Sequence, residues 1–394
     1  MVRAVTDSPR LLLVSTVAVT VRHFLRPYAD HFRSLGWRVD AAANGLTTDE
    51  IGREAFDAVY DLPLSRSLRD LGGLVRGWRA VVRAIRDAQP DIVHVHTPIA
   101  SFMVRLAVRL MPGSRRPMVV YTAHGFHFHD AGRRVPNAAF LLAERLAGRW
   151  TDRLIVINDE DERAARTHLI VPPGRLVRMP GIGLDTTVYS PAAVDAAGAA
   201  RFRETLDLTE GEPYFVVIGE FSLNKRQSDA IEALARMKHR RARLVLVGSG
   251  PRRPQLEALA SERTVSDRVR FTGLIDDVPA VLVGATALVA TSAREGLSRS
   301  VMEALSLEVP VIGSTARGNR ELIGESGRIF ETGDIDALSG WMDWFVDQPS
   351  AAREMGRAGR HRMVHDYDLG PLMRRHERLY DELLAERRGH DPAR

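Results

Sequence analysis

Short apolar runs alternate with amphipathic segments along almost the whole chain. The runs are rich in Val, Ile and Leu and have the length of single strands, while the segments between them repeat their apolar residues with helical spacing. Continuous apolar runs are typical of parallel strands that helices cover on both faces of a sheet. The pattern therefore predicts an α/β protein.

The predicted strands form two series. The first covers 11–17, 37–42, 58–62, 91–96, 118–122, 153–157 and 176–179, and the second covers 214–218, 243–247, 268–272, 287–291 and 309–313. Between them, 171–200 is rich in proline, glycine and small residues, as expected of a linker. We expect one doubly wound, Rossmann-like domain over 1–185, a second over 186–368, and a C-terminal helix within 369–394.

The amino-acid composition and charge exclude several kinds of site and partner. The 394 residues contain no cysteine, which excludes disulfides, thiolate metal sites and a cysteine nucleophile. The absence of cysteine also permits a reducing compartment, and we expect a cytoplasmic protein. No apolar stretch reaches the roughly 20 residues of a membrane-spanning helix. The net charge is +5, but residues 1–180 carry +8 and the remainder −3. Because only 6% of the residues are aromatic, an anionic acceptor or membrane surface fits the basic half better than nucleic acid does.

The positions that follow the strands are the candidate site residues, because ligands of open parallel sheets bind beyond the carboxyl ends of the strands. In the first series these positions hold one threonine and several histidines: Thr16, His94, His96, His124 and His127. In the second they hold glycines, bases and carboxylates: Gly219, Lys225, Arg226, Gly248, Gly250, Gly273, Glu295, Gly296, Leu297, Ser298 and Glu303. Two such edges facing each other across an interdomain cleft would form a site for two substrates.

Two carboxylates, Glu295 and Glu303, lie eight positions apart across a predicted strand-to-helix turn. Gly296 lets the backbone approach a ligand closely, and the helix N-terminus near Ser298 directs N–H groups at an anion such as a diphosphate. Glu303 would then accept hydrogen bonds from ribose hydroxyls. The alternative is that Glu295 caps the helix and Glu303 is a solvated surface residue.

The turn after the first strand of the second series contains Gly219, Lys225 and Arg226, which would place cations beside the same diphosphate. The alternative, a basic first turn of a surface helix, is opposed by the helix dipole. Gly248 and Gly250 form a tight turn that either cradles a nucleoside or serves packing alone.

Three histidines, His124, His127 and His129, follow a buried strand within six residues. With His94 and His96 they could bind a metal, but no nearby carboxylate completes a familiar ligand spacing. The alternative is that His124 contacts the reacting group while the others line the acceptor pocket or satisfy hydrogen bonds in the core.

A predicted helix near residues 74–86 is basic on one face, through Arg76, Arg79, Arg83 and Arg86. This face fits either an anionic lipid surface or solvent.

Taken together, the motifs resemble a known family. The pair Glu295/Glu303, Lys225, and the segments 248–251, 269–273 and 309–311 fall in the order seen in the retaining family 4 glycosyltransferases of GT-B fold. The segments 91–98, 121–129 and 158–161 are similar to the bacterial exopolysaccharide and capsule branch of that family.

The resemblance implies roles for these residues. Glu303 would hold the donor ribose, Glu295 would contact the transferred sugar, and Lys225 with the amides near Leu297 and Ser298 would neutralise the diphosphate, so that neither a metal nor another cofactor is needed. His124 would lie near the donor sugar on the acceptor side, and the C-terminal helix would cross back onto the first domain.

Two features depart from the family pattern. Glu220 stands where many relatives carry arginine, so Arg226 or another residue must supply the second cation. The segment 15–21, after the first strand, lacks the usual paired glycines.

The sequence thus predicts a retaining transferase that moves a sugar from a UDP-sugar to a lipid-linked glycan precursor of a cell-surface polysaccharide, peripherally at the inner membrane face. One alternative keeps the reaction on a soluble acceptor such as an aminocyclitol or antibiotic precursor. From other classes, a non-catalytic sugar-nucleotide binding protein stays open, whereas a dinucleotide oxidoreductase is disfavoured because no strand precedes Gly-x-Gly-x-x-Gly.

Overall fold

The chain folds into two compact units. The computed structural model describes residues 8–49, 53–64, 71–113, 116–126, 128, 134–209 and 211–389. Unit 1 comprises Met1–Ile182 and Gly370–Arg394, and unit 2 comprises Gly183–Leu369.

Each unit contains one parallel sheet. In the described residues of unit 1 the strand order is β3-β2-β1-β4-β5-β6-β7, and in those of unit 2 it is β10-β9-β8-β11-β12-β13. The strands of unit 1 are β1 (Arg10–Val17), β2 (Arg38–Asn44), β3 (Ala58–Asp61), β4 (Ile92–Val95), β5 (Met118–Ala123), β6 (Arg153–Val156) and β7 (Leu176–Arg178). Those of unit 2 are β8 (Tyr214–Ile218), β9 (Arg243–Val247), β10 (Val269–Gly273), β11 (Ala287–Ala290), β12 (Val311–Ser314) and β13 (Gly327–Phe330).

Helices connect the strands and cover both sheets. In chain order they are α1 (Arg26–Ser34), α2 (Leu71–Ala88), α3 (Pro98–Leu110), α4 (Arg134–Gly148), α5 (Asp159–Thr167), α6 (Ala196–Thr205), α7 (Gln227–Arg236), α8 (Arg253–Glu262), α9 (Val278–Leu282), α10 (Arg299–Ser306), α11 (Arg317–Ile323), α12 (Ile335–Asp347), α13 (Pro349–Asp366) and α14 (Leu369–Gly389). In the part of the chain that the structure describes, no helix combines the length and apolarity needed to span a membrane.

The central strands are buried on both faces, which is why they read as continuous apolar runs. In unit 1, alternate residues of β4 face opposite layers: Val93 and Val95 join the core beneath α2 and α3. His94 points to the other layer, where it lies against Tyr28 of α1 and Tyr380 of α14. His94 is therefore a core residue of the layer built by α1 and α14.

The structure differs from the pattern of elements in the sequence at two places. The strand β13 was not predicted, because its four residues include only two large apolar side chains, Ile329 and Phe330. The apolar spacing over 23–35 indicates a single helix, but the structure divides this segment into a π-helical turn, Val21–Leu25, and α1. Leu35, which that spacing would place on the buried face, is 47% exposed because α1 ends at Ser34.

Candidate functional site

The carboxyl edge of the unit 2 sheet has its switch point between β8 and β11. From β8 the strands proceed through β9 and β10 in one direction, and from β11 through β12 and β13 in the other. The loops that follow β8 and β11 therefore diverge and leave a crevice, which is where open parallel sheets bind ligands.

Hydrogen bonds tie these two loops together. The N–H of Ala293 donates to the carbonyl of Asn224 at 2.7 Å, and the Asn224 amide donates to the carbonyl of Arg294 at 3.1 Å. The hydroxyl of Thr291 donates to the carbonyl of Lys225 at 2.6 Å. The backbone on either side of Lys225 is thus fixed against the loop that carries Glu295.

Lys225 and Glu295 form an ion pair at this switch point. The distance between Lys225 Nζ and Glu295 Oε1 is 2.7 Å, and the two side chains are 26% and 14% exposed. The side chain of Lys225 also lies along Gly219, where an added Cβ would approach the Lys225 Cε to 3.0 Å. The structure therefore brings together two residues separated by 70 positions, with both heads still reachable from solvent.

The second carboxylate, Glu303, is buried rather than solvated. It lies on α10 with 6% of its surface exposed, and the guanidinium of Arg299, one turn earlier, donates to its Oε1 at 2.8 Å. Burial raises the pKa of Glu303, and the Arg299 charge acts in the opposite direction. The surface-residue interpretation of Glu303 is wrong. The capping interpretation of Glu295 is also wrong, because its carboxylate pairs with Lys225 and α10 begins after Ser298 without a side-chain cap.

Arg299 and Tyr189 are residues of this site that the sequence analysis missed. The Arg299 guanidinium lies 5.9 Å from the centre of the Tyr189 ring. The pKa of Tyr189 is raised, first by its burial and then by the negative charge of Glu303. The four-residue spacing of Arg299 and Glu303 on one helix could have revealed the first of them. Tyr189 lies in the segment read as a linker and carries no local signal.

The glycines of the site allow its loops to pack closely. An added Cβ on Gly248 would lie 2.1 Å from the carbonyl oxygen of Gly219, and one on Gly250 would lie 2.6 Å from the backbone of Phe221. The N–H of Gly248 donates to the carbonyl of Gly273 at 2.8 Å. The loops after β8, β9 and β10 thus support one another, which is the packing role considered for Gly248 and Gly250. Near α10, an added Cβ on Gly318 would lie 1.7 Å from the carbonyl oxygen of Gly296.

Arg226, the predicted second cation, is engaged by a neighbouring carboxylate. It adopts a left-handed backbone conformation at the start of α7, with φ of 50°, and its Nε donates to Asp229 Oδ2 at 2.7 Å. Glu220 is exposed, and its carbonyl accepts from the Gln227 amide at 2.9 Å. A diphosphate would have to compete with Asp229 for the Arg226 guanidinium.

Leu297 and Ser298 precede the first turn of α10, where backbone N–H groups lack partners within the helix. Ser298 is 4% exposed, and its hydroxyl lies 3.1 Å from that of Ser300. Gly273 contributes its carbonyl to the loop after β9. The N-terminus of α10 therefore has the backbone N–H groups that could bind an anion, and the binding of a donor by Leu297 and Ser298 stays a prediction.

The carboxyl edge of the unit 1 sheet has its own switch point, between β1 and β4. The hydroxyl of Thr16, near the end of β1, and that of Thr97, which follows β4, are 2.6 Å apart. His124 follows the neighbouring strand β5, and its Nε2 lies 3.2 Å from His96 Nδ1. The other ring nitrogen of His96, Nε2, is buried without a hydrogen-bond partner in the part of the chain described. Thr16, His96 and His124 thus lie at one edge of this sheet.

His94 does not face that edge, contrary to the acceptor-side placement expected for it. Its Nδ1 is hydrogen-bonded to the Tyr380 hydroxyl and its Nε2 lies 2.7 Å from the Thr122 hydroxyl, so both ring nitrogens are used within the core. His127 and His129 lie outside the described residues. Across the described chain, no three His, Asp or Glu side chains are grouped as metal ligands.

Three buried histidines of unit 1, His94, His96 and His124, are neutral at pH 7. Burial lowers the pKa of His124 to about 4, and it lowers the pKa values of His94 and His96 well below the ordinary value. His124 can therefore donate or accept a hydrogen bond at this edge, but it does not supply a positive charge.

The segment 158–161 holds the loop that carries His124. The Asn158 side chain accepts from the Asp161 N–H at 2.8 Å and so caps α5. Asp161, which is fully buried, accepts from the N–H of Phe126 at 3.2 Å. This motif therefore has a structural role two residues from His124.

Two doubly wound units, one with a cation, a carboxylate pair and a helix N-terminus at its switch point, form an architecture typical of enzymes that bind a phosphorylated nucleotide. The family comparisons specify the class. Residues 199–362 match the model described as glycosyl transferases group 1, and residues 21–186 match that of glycosyltransferase family 4. The chain belongs to the family 4 glycosyltransferases of GT-B fold, which use nucleotide-sugar donors.

Three relatives illustrate the range of the family. EpsD of Bacillus subtilis (strain 168), provisionally named a glycosyltransferase, is 34% identical over 357 residues, which are 89% of this chain and 91% of EpsD. The UDP-Gal:alpha-D-GlcNAc-diphosphoundecaprenol alpha-1,3-galactosyltransferase of Escherichia coli is 24% identical, covering 81% of each chain. The 2-deoxystreptamine glucosyltransferase of Streptomyces kanamyceticus is 26% identical, covering 78% of this chain and 82% of its own.

Solved structures share the fold. Sucrose-phosphate synthase from Thermosynechococcus elongatus superposes with a TM-score of 0.81 at 20% identity, covering 96% of this chain and all of that chain (100%). Anabaena HepE in complex with UDP-glucose superposes with a TM-score of 0.77 at 17% identity, covering 95% and 100%.

Proposed function

We propose that this chain transfers a sugar, with retention of anomeric configuration, from a UDP-sugar to a lipid-linked glycan precursor of a cell-surface polysaccharide. The reaction takes place at the cytoplasmic face of the membrane. The observation that carries the proposal is the Lys225–Glu295 ion pair at the switch point of the unit 2 sheet. The name of the diphosphoundecaprenol-dependent relative supports the acceptor, and the HepE complex with UDP-glucose supports the donor.

In this proposal Lys225 stabilises the leaving diphosphate. An ammonium group has three N–H donors, and Glu295 accepts from Lys225 at 2.7 Å, so the remaining donors can reach phosphate oxygens. The backbone N–H groups at the start of α10 add a second source of positive potential. Fixed charge of this kind takes the place of a divalent cation and needs no reorganisation as the negative charge develops.

In a single step, retention requires the acceptor hydroxyl to approach the sugar on the face that the diphosphate leaves. The bond between the anomeric carbon and the phosphate oxygen breaks, the bond to the acceptor oxygen forms, and the acceptor proton passes to the departing diphosphate. In this proposal Glu295 contacts the sugar while it pairs with Lys225, and Glu303 accepts hydrogen bonds from the ribose. His124, being neutral, contributes a hydrogen bond to the sugar.

The chain contains two lysines, which supplies a matched control for the test. We expect Lys225→Ala and Glu295→Gln to lower kcat by about two orders of magnitude or more, because each removes charge that acts mainly in the transition state. Lys238→Ala, at an exposed position in unit 2, should leave kcat unchanged. Near-normal turnover in both site variants would contradict the proposal. EDTA should not alter the rate; loss of activity that Mg²⁺ restores would refute metal independence.

The acceptor is tested separately, because the relatives include an enzyme named for a soluble aminocyclitol acceptor. Purified protein and a panel of UDP-sugars are offered either an undecaprenyl diphosphate-linked sugar or 2-deoxystreptamine. Transfer to the lipid-linked sugar is expected. Transfer to 2-deoxystreptamine alone would replace the lipid-linked acceptor by a soluble one.

A further inference from the structure

The helices α2, α3 and α4 lie on one face of the unit 1 sheet. They lead from β3 to β4, from β4 to β5 and from β5 to β6, always in the same direction across the sheet, so right-handed crossovers place all three on the same face. In agreement, α3 packs against α2 on one side and against α4 on the other. Their outward surfaces therefore point to the same side of unit 1.

The outward surface of α4 is apolar. Val135 is 81% exposed, Leu142 69% and Leu146 40%, and Ala138 and Ala139 are exposed between them. The spacing of three, four and seven residues places these side chains along one stripe of the helix. A water-exposed stripe of this length is unusual for a surface helix and indicates a docking surface.

The charges beside the stripe are positive. Arg145 and Arg149 are exposed next to Leu142 and Leu146. The one acidic residue of α4, Glu144, points inward, where it accepts from the buried Arg105 at 2.9 Å. An apolar stripe flanked by outward arginines, with the carboxylate turned away, complements a surface that is both apolar and anionic.

The basic face of α2 continues this surface. Arg79, Arg83 and Arg86 are exposed on α2, and Val75 is 52% exposed near its beginning. Together the three helices contain eight arginines and two acidic residues. The α2 arginines can pair with the phosphate groups of lipids. The apolar side chains of α4 can be buried at the boundary with the acyl chains, beneath those phosphates.

We propose that the α4 stripe inserts into an anionic bilayer while the arginines of α4 and α2 contact its headgroups. This rests on the proposed function, since a lipid-linked acceptor is presented by such a bilayer. Helices that follow the strands of a parallel sheet begin at its carboxyl edge. The insertion surface therefore starts at the same edge as His124, which would receive an acceptor directly from the membrane plane.

Vesicle sedimentation of the full chain tests the proposal. The protein is mixed with vesicles of phosphatidylcholine alone or with phosphatidylglycerol added. We expect binding to the anionic vesicles, lowered about tenfold or more by Leu142→Gln combined with Leu146→Gln. Arg145→Gln combined with Arg149→Gln should lower binding about fivefold per charge and reduce its salt dependence. Matched changes on α13 of unit 2, Val364→Gln and Arg353→Gln with Arg357→Gln, should have no effect.

Because the chain lacks cysteine, one introduced cysteine can carry a dye that reports membrane insertion at that position alone. Leu142→Cys labelled with an environment-sensitive dye should shift to shorter emission wavelength with anionic vesicles, and Val364→Cys should not. Unchanged vesicle binding of the α4 variants, or no shift at position 142, overturns the proposal. So does a wild-type dimer that these variants convert to monomer without loss of vesicle binding, since the stripe would then join two copies.

The control for the proposed function is transfer in detergent. Loss of vesicle binding with normal transfer in detergent is expected of the α4 variants. Absence of transfer to the lipid-linked sugar by wild-type protein that binds vesicles refutes the proposed acceptor and leaves the insertion surface standing. Normal transfer by wild-type protein that fails to bind anionic vesicles overturns the insertion surface alone.

Discussion

At the scale of single residues, the site of unit 2 separates its two carboxylates by environment. Glu295 is partly exposed and pairs with Lys225, whereas Glu303 is buried beside Arg299. Burial disfavours the charged form of Glu303, and the Arg299 guanidinium is the group that offsets this cost. Arg299 therefore favours the ionised form of Glu303 and fixes its orientation, so under the proposed function it is a positioning residue for the carboxylate that would bind the ribose.

Replacing Arg299 should make donor binding depend on pH. Without the guanidinium the pKa of Glu303 rises further, so at pH 6 more of it is protonated and a poorer acceptor for ribose hydroxyls. We expect Arg299→Met to raise the KM for the donor about tenfold at pH 6 and less at pH 8, with kcat little changed. Arg299→Lys should restore most of the wild-type pH profile. An equal rise in KM at both pH values would show that Arg299 serves only packing.

At the scale of the elements, the turns after β8 and β9 interlock through glycines that have no room for a side chain. Gly250 has φ of 155° and lies against the backbone of Phe221, four residues before Lys225. The position of Lys225 therefore depends on a turn in a different part of the sequence. We therefore expect a substitution that strains this turn to displace Lys225 and weaken its ion pair with Glu295.

Gly250→Ala tests this dependence. The added Cβ would meet the Phe221 backbone at 2.6 Å and occupy a left-handed conformation, so we expect a loss of about 2 kcal/mol in the free energy of unfolding and weaker nucleotide binding. Gly340→Ala, on α12 with nothing within 4 Å of its added Cβ, is the matched control and should be neutral or slightly stabilising. Thermal unfolding and titration with UDP measure both effects. Wild-type affinity in Gly250→Ala would contradict the coupling.

Most elements could be predicted from the sequence, because a parallel strand buried on both faces leaves an uninterrupted apolar run. The predicted bounds of β8 and β9 match the structure, and the other predicted strands differ by one or two residues at either end. The strand β13 was not predicted, because Gly327 and Arg328 interrupt its apolar pattern. Its place in the sheet is fixed by pairing with β12, which local sequence does not encode.

Contacts between residues far apart in the sequence could be predicted only in part. The positions of Lys225 and Glu295 after strands indicated a shared edge, and the order of the strands in the sheet makes them neighbours. His94 looked like a site residue because it follows the same pattern as His96. Its assignment to the core depends on Tyr380 of α14, 286 positions away, which no local periodicity reveals.

At the scale of the molecule, α14 closes the sheet of unit 1 over a set of neutral histidines. His376 of α14 lies between Tyr28 of α1, whose hydroxyl is 3.3 Å from its Nε2, and its own helix, where Nδ1 lies 3.1 Å from the carbonyl of Leu372. The ring stacks near that of His94, with centroids 5.9 Å apart. Burial lowers the pKa of His376 to about 4. While α14 is packed, this ring therefore stays neutral near pH 6.5, where a histidine of the unfolded chain is about half protonated.

Acid should therefore loosen α14 before it affects the site of unit 2. A group whose pKa is lower in the folded state contributes no pH dependence above the unfolded pKa, and it costs about 1.4 kcal/mol per pH unit as the pH falls from about 6.5 toward 4. We expect the opening free energy of α14, measured by hydrogen–deuterium exchange between pH 7.5 and 5, to fall with acid, and His376→Gln to remove one histidine's share of that slope. The matched control is His361→Gln, at an exposed position of α13, which should leave the slope unchanged. A slope that His376→Gln does not reduce would mean that this ring accepts its proton without leaving the core.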